Sequence, residues 1–196
     1  MATKTLRELT GLDETPAKLA ESTLILVDYQ NTYTSGELEL QGWQDALGAA
    51  AELLARAREV GAEVIHVVHD GGEGSLYDVE AWSGGIHPDV APAEGERVVR
   101  KKAPDSFVGT DLGDHVDAAG HQDVVVIGFM THMCVTFTAQ GAFLRGNRPT
   151  VVANACASRA LSALDAELGA DQVHSSGLAV IRDLYGVVVA SGDSLG

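Results

Sequence analysis

Six short runs dominated by β-branched and aliphatic residues, at 23–27, 64–68, 97–100, 124–127, 150–153 and 187–189, are separated by longer stretches of helical periodicity. Most show no in–out alternation, as Val124-Val125-Val126-Ile127 illustrates. A strand that is apolar on successive residues is covered on both faces, which is the condition of a parallel sheet between helical layers. Helical patterns occupy 43–60, 112–119, 135–144 and 160–170. Gly61 and Gly146 stand just past the first and third of these, where a residue able to adopt positive φ closes a helix. The alternation predicts an α/β fold, a three-layer, doubly wound, Rossmann-like parallel sheet. One domain over 1–196 accommodates it, since no repeat, low-complexity tract or linker intervenes. The stretch 71–95, with Gly71-Gly72-Glu73-Gly74 at its start and Gly84-Gly85 inside, is too long for a plain connection and reads as a lid or wall over a site.

Charge then removes several function classes. A formal net charge of −15 is the opposite of what a nucleic-acid surface requires, so no nucleic-acid partner is expected. The acidic surface serves solubility and would draw in a cationic small molecule. No apolar run approaches the roughly 18 residues of a membrane span, and the mixed polar segment 1–9 lacks a signal-peptide core. These features predict a cytoplasmic protein without membrane association, whose two cysteines, Cys134 and Cys156, are free thiols.

Ligands of such sheets bind beyond the carboxyl ends of the strands, where strand order reverses. Asp28 ends the first strand, Lys101 the third, and the fourth leads through Gly128-Phe129-Met130-Thr131-His132-Met133 into Cys134. In the common order 3-2-1-4-5-6, Asp28 and Cys134 flank one crevice, whereas Lys101 sits on an outer strand and must reach inward, or that short segment must lie elsewhere. The first turn of a helix presents unsatisfied N–H groups, which favour a thiolate there. Cys134 is therefore either a reactive thiol or a small buried hydrophobe. A base, a cation and a thiol together are the parts of cysteine-based acyl transfer.

Three segments in order, Leu24-Ile25-Leu26-Val27-Asp28-Tyr29-Gln30-Asn31, 101–112 beginning Lys101-Lys102-Ala103-Pro104-Asp105-Ser106-Phe107, and Gly128 to Val135, carry a resemblance over nearly the whole chain. The chain resembles the isochorismatase-like cysteine hydrolases, among them nicotinamidase and N-carbamoylsarcosine amidohydrolase. The resemblance implies an Asp28, Lys101, Cys134 triad and an oxyanion hole made by the backbone N–H groups of Met130 and Cys134, with a cis peptide between Phe129 and Met130. It favours Lys101 over Lys102, because the family lysine lies six residues before the phenylalanine, here Phe107. It also implies hydrolysis of a carbon–nitrogen bond in a small amide, lactam or ureide through a thioester, and a homo-oligomer, dimer or tetramer, using the 71–95 loop and the arm around Leu6 and Leu9. Nicotinamidases of this family carry a metal-binding Asp-x-His; here Asp70-Gly71-Gly72 stands instead, so neither a metal nor another cofactor is expected.

Other residues have competing readings. His66 and His69 lie three apart on one strand and project to opposite faces, so they cannot share one ion. His132 could pair with Cys134 or serve as a turn histidine, and Cys156 is read as an inert buried thiol. Tyr33, Trp82 and Phe107 are candidate pocket walls, or core packing. The leading reading is a cysteine amidohydrolase on a small amide, a cationic one being favoured by the acidic surface. The alternatives are vinyl-ether hydrolysis of isochorismate, against which Cys134 speaks, and a non-catalytic binding module.

Overall fold

The computed structural model describes residues 3–196. Strands β1 (Ser22–Val27), β2 (Glu63–His69), β3 (Arg97–Lys101), β4 (Asp123–Phe129), β5 (Arg148–Ala157) and β8 (Val187–Val189) form one sheet in the order β3-β2-β1-β4-β5-β8. All five pairings are parallel. The sheet is thus the doubly wound one expected, with its order reversing at β1 and β4. Helices α2 (Trp43–Glu59), α3 (Leu112–Ala119), α4 (Thr136–Leu144) and α5 (Ala170–Val180) flank it, and a short helix α1 (Leu6–Thr10) precedes it.

The apolar runs behave as two-faced strands should. Leu24 and Leu26 of β1 join Val125, Ile127 and Phe129 of β4 in a core under α2, with Leu47, Leu53 and Leu54. Ile25 and Val27 point the other way, with Val124 and Val126, into a core under α3 and α4 that also holds Cys134 and Cys156. Burying a Leu or Ile side chain is worth about 1.5–3 kcal/mol, so every second residue contributes to each layer. Gly61 and Gly146 adopt positive φ after α2 and α4. No helix among the described residues is long and apolar enough to cross a membrane.

The helix expected over 160–170 is not there. Instead β6 (Leu161–Ala163) and β7 (Ala166–Leu168) form a separate antiparallel hairpin, with Leu164 at its turn at φ 53°. The composition favours a helix, but residues 162–167 are all exposed, and propensity alone does not hold so short a helix without a face to bury. The helix begins ten residues later at Ala170, where Val173, Gly177 and, beyond its end, Ile181 make the buried stripe.

The 71–95 stretch is a wall. The N–H of Asn31 donates to Gly85 O, that of Thr32 to Ser83 O, and that of His87 to Tyr29 O. Gln30 Nε2 donates both to Gly84 O (2.7 Å) and to His69 O (2.9 Å), while Gln30 Oε1 accepts the His69 N–H (3.0 Å). Gln30 thereby ties the end of β1 to the end of β2 and to the loop.

Candidate active site

Three strand ends converge. Asp28 directly follows β1; its N–H donates to Val67 O at 2.9 Å and its φ is 53°, a left-handed conformation that Asp tolerates better than most residues. Such a conformation turns the chain sharply at the strand end. Cys134 lies in a π-type turn, Thr131–Val135, between β4 and α4. Gly128, at φ 146°, permits the approach to this turn, because a Cβ there would overlap the Val27 carbonyl. Lys101 ends β3, opposite His69 of β2. β3 is the edge strand, two strands from β1, with strands about 4.8 Å apart. The lysine stem bridges that gap, as the sequence requires if Lys101 belongs to the crevice.

The lysine is the hub. Its Nζ lies 2.7 Å from Asp28 Oδ2 and 3.2 Å from Cys134 Sγ, and also donates to Ala103 O at 3.1 Å. Asp28 and Lys101 are completely buried, and Cys134 keeps 6% exposure, the only one of the three residues that reaches the surface. Asp28 Oδ1 has no hydrogen-bond partner among the described residues. The peptide between Phe129 and Met130 is cis. The Met130 carbonyl accepts from the N–H groups of Met133 (3.0 Å) and Val135 (3.2 Å), while the Met130 N–H donates to no acceptor among the described residues.

Electrostatics corrects one expectation. Burial, reinforced by the Asp28 charge, pushes the Cys134 thiol up to about 12, against the opposing pull of Lys101. Burial also raises Asp28 in spite of Lys101. For Lys101, burial disfavours the charged form, but Asp28 and Cys134 outweigh it and the ammonium is held. The three groups therefore form a neutral set: one ammonium, and one proton shared between carboxylate and thiol. Removing that last proton would leave a net negative charge in a buried place. Burial first and Asp28 second thus outweigh the expected bias of Lys101 toward thiolate and favour the protonated sulfur.

Sequence reasoning placed Tyr33 and the 71–95 stretch at the wall but missed His69 and Tyr77 as side chains of it. The His69 ring lies beside Lys101, with Nδ1 3.5 Å from Nζ, and packs against Tyr77 at 4.8 Å between centroids. Tyr77 OH is 3.2 Å from Tyr33 OH, and the Tyr33 ring stands edge-on to Phe129. Tyr33 is held above its usual range by burial and then by the Asp28 charge, and His69 is lowered by burial and then by Lys101. Of the three aromatic candidates, Tyr33 thus adjoins the cluster. Trp82 is 67% exposed, and Phe107 packs under the Arg145 guanidinium, 5.4 Å from its ring centre, beside the α3–α4 core. Nothing in the sequence distinguishes Tyr77 from other loop residues.

His66 and His132 are engaged elsewhere. His66 Nε2 contacts Glu96 (2.9 Å), which Arg58 also holds, on the opposite side of β2 from His69. His132 Nδ1 pairs with Ser158 Oγ (3.0 Å) rather than with the sulfur. Cys156 is buried, donates to Val152 O at 3.4 Å, and is pushed up to about 12 by burial. Among the described residues no group of three or more His, Cys, Asp or Glu side chains is arranged to hold a metal ion.

Comparison with known proteins agrees with this fold. The Isochorismatase domain model matches residues 22–190. The secreted isochorismatase effector of Verticillium dahliae is 31% identical over 188 residues, covering 95% of this chain and 97% of that protein. Streptothricin hydrolase of Streptomyces noursei is 38% identical over 125 residues, covering 64% of this chain and 50% of the relative. A crystal structure of an isochorismatase from Pseudomonas putida superposes with a TM-score of 0.93 at 38% identity, covering 96% of this chain and 97% of that one.

Proposed function

Because the chain belongs to the isochorismatase family, some of whose members are amidohydrolases, we propose that it is a cysteine-dependent hydrolase of a small carbon–nitrogen substrate. The observation that carries this reading is the contact of one buried lysine with both Asp28 (2.7 Å) and Cys134 (3.2 Å).

The mechanism follows from the shared proton. Cys134 Sγ attacks the substrate carbonyl as Asp28 takes the thiol proton, so a thiolate exists only as the carbon–sulfur bond forms. Lys101 stays charged and limits the cost of moving negative charge through a buried site. The carbonyl oxygen, now an oxyanion, accepts from the backbone N–H groups of Met130 and Cys134, donors worth roughly 3–4 kcal/mol each when preorganised. Asp28 returns the proton to the nitrogen, the carbon–nitrogen bond breaks and the amine leaves. Water, deprotonated by Asp28, then cleaves the thioester and restores the thiol. Tyr33, Tyr77 and His69 wall the acyl side.

The similarity to streptothricin hydrolase and the charge of −15 favour a lactam or amide carrying positive charge. Isochorismate hydrolysis, which the naming of the Verticillium relative brings forward, needs no thiol, and a binding module needs no shared proton. The test is a screen of carboxamides, ureides and lactams, with ammonia release and mass detection for ring opening. Turnover of at least one class, lost in Cys134→Ala, is expected; turnover of isochorismate alone, unaffected by that change, would refute the reading.

A further inference from the structure

The turn that carries Cys134 is held from the side by α5, an element the sequence pattern did not reveal. Thr131 opens this turn, directly after Met130. Its Oγ1 lies 3.1 Å from Ala157 O and 2.8 Å from His174 Nδ1 of α5. A hydroxyl has one proton to give. With that proton on the Ala157 carbonyl, His174 must supply an Nδ1–H to Thr131, which makes a directed chain from His174 through Thr131 to Ala157. On its other side, the Thr131 carbonyl accepts from Thr136 Oγ1 at 2.6 Å.

One turn further along α5, Gly177 meets the same segment backbone to backbone. A Cβ at Gly177 would stand 3.0 Å from His132 Cα, 3.1 Å from His132 N and 3.3 Å from Thr131 C. Those neighbours are main chain and cannot rotate away, so any side chain at 177 displaces residues 131–132 by tenths of an ångström. Two residues of one helix face, three apart, thus hold the Thr131 side chain and the Thr131–His132 peptide of the turn. Neither touches Asp28 or Lys101 in any contact described above.

We infer that α5 is a positioning clamp, in which His174 and Gly177 set the placement of the Met130 and Cys134 amides and of the sulfur relative to the reacting carbonyl. This inference rests on the reading given under Proposed function. Preorganised donors act only when held where the oxyanion forms, so misplacement costs the chemical step more than substrate binding. His174 and Gly177 are positioning residues, and their effect belongs to kcat.

The test compares His174→Leu, His174→Asn and Gly177→Ala with the parent, each checked for folding by thermal melting. Asn offers an amide N–H close to the position of His Nδ1, whereas Leu offers none. Expected are a loss of about ten-fold in kcat with little change in KM for His174→Leu and Gly177→Ala, and recovery to within about three-fold for His174→Asn. Gly177→Ala is the sharper case, because the better helix propensity of alanine offsets the cost of displacing residues 131–132, and its melting temperature should fall far less than its activity. Iodoacetamide labelling of Cys134, followed by mass spectrometry, needs no substrate and should change in rate for the same two variants. If the parent turns over no amide, the functional reading fails while the labelling rates still judge the clamp. Parent-like kcat and labelling in folded His174→Leu and Gly177→Ala would overturn it, as would an equal loss in His174→Asn.

Discussion

Reactivity at residue scale is decided by where one proton resides. A lone cysteine at a helix start would be read as a thiolate, but this one shares its surroundings with a buried carboxylate, and burial and that carboxylate together raise it to about 12. Two predictions follow from the sign. In the parent, Cys134 alkylation should be slow at neutral pH and rise through the alkaline range. In Asp28→Asn the negative neighbour is gone and the Lys101 charge is unopposed, so labelling near pH 7 should be faster even though hydrolysis is lost; slower labelling would contradict the shared-proton description. Cys134→Ala should lower turnover by at least about 10³-fold while the protein still melts cooperatively.

Charge pairing at the strand ends also sets stability. Lys101→Met removes the cation and leaves Asp28 buried and unpaired, at an expected cost of about 3–5 kcal/mol by denaturant unfolding. The double change Asp28→Asn with Lys101→Met should recover most of that loss, because no buried charge is then left over. A double variant as unstable as the single one would show that the pair is not what Lys101→Met disrupts.

Elements differ in how far the chain announces them. Continuous apolar runs and helix-ending glycines were enough for the parallel sheet, α2, α3 and α4, since burial on both faces leaves a pattern in the residues themselves. Asp28 and Cys134 were legible because adjacent strand ends at the reversal point must meet. For Lys101 strand order left two readings, an inward reach or a segment lying elsewhere, because it gives the position of a Cα and not the path of a four-carbon stem. His69 stands at the end of β2 opposite Lys101, and Tyr77 enters through the 71–95 wall, whose course depends on hydrogen bonds from Gln30 and Asn31 that no periodicity encodes. The 161–168 hairpin was misread as helix because propensity was weighed without a face to bury. Accordingly, Leu164→Ser, at a fully exposed hairpin turn, should change unfolding stability by no more than about 0.5 kcal/mol.

Glu96 gives the element scale its pH test. Arg58, together with the Ala93 N–H and His66, holds this carboxylate down at about 2, against an ordinary value of 4.5. A lowered folded pKa means the folded state favours the ionised form, so the contribution is complete above about 4.5 and is lost as pH falls toward 2. Acid unfolding should therefore steepen across that window, and Glu96→Gln should flatten it; an unchanged profile would remove Glu96 as the cause.

For the whole molecule, the surface and the site carry different electrostatic tasks. The Asp28, Lys101 and Cys134 cluster is neutral as a set, while the chain bears −15 overall. Long-range attraction of a cation is screened within about 8–10 Å at physiological salt. Consequently kcat/KM for a cationic lactam should fall as salt rises from low to physiological ionic strength, while that for a neutral carboxamide should stay level. Equal salt responses would show that the acidic surface does not select the substrate.

The account stands most directly on a covalent bond to one sulfur. Rapid acid quenching during turnover of an accepted amide, followed by peptide mass spectrometry, should find the acyl group on the peptide bearing Cys134, and none in Asp28→Asn. Steady turnover with no such adduct, and with Cys134→Ala equally active, would contradict it.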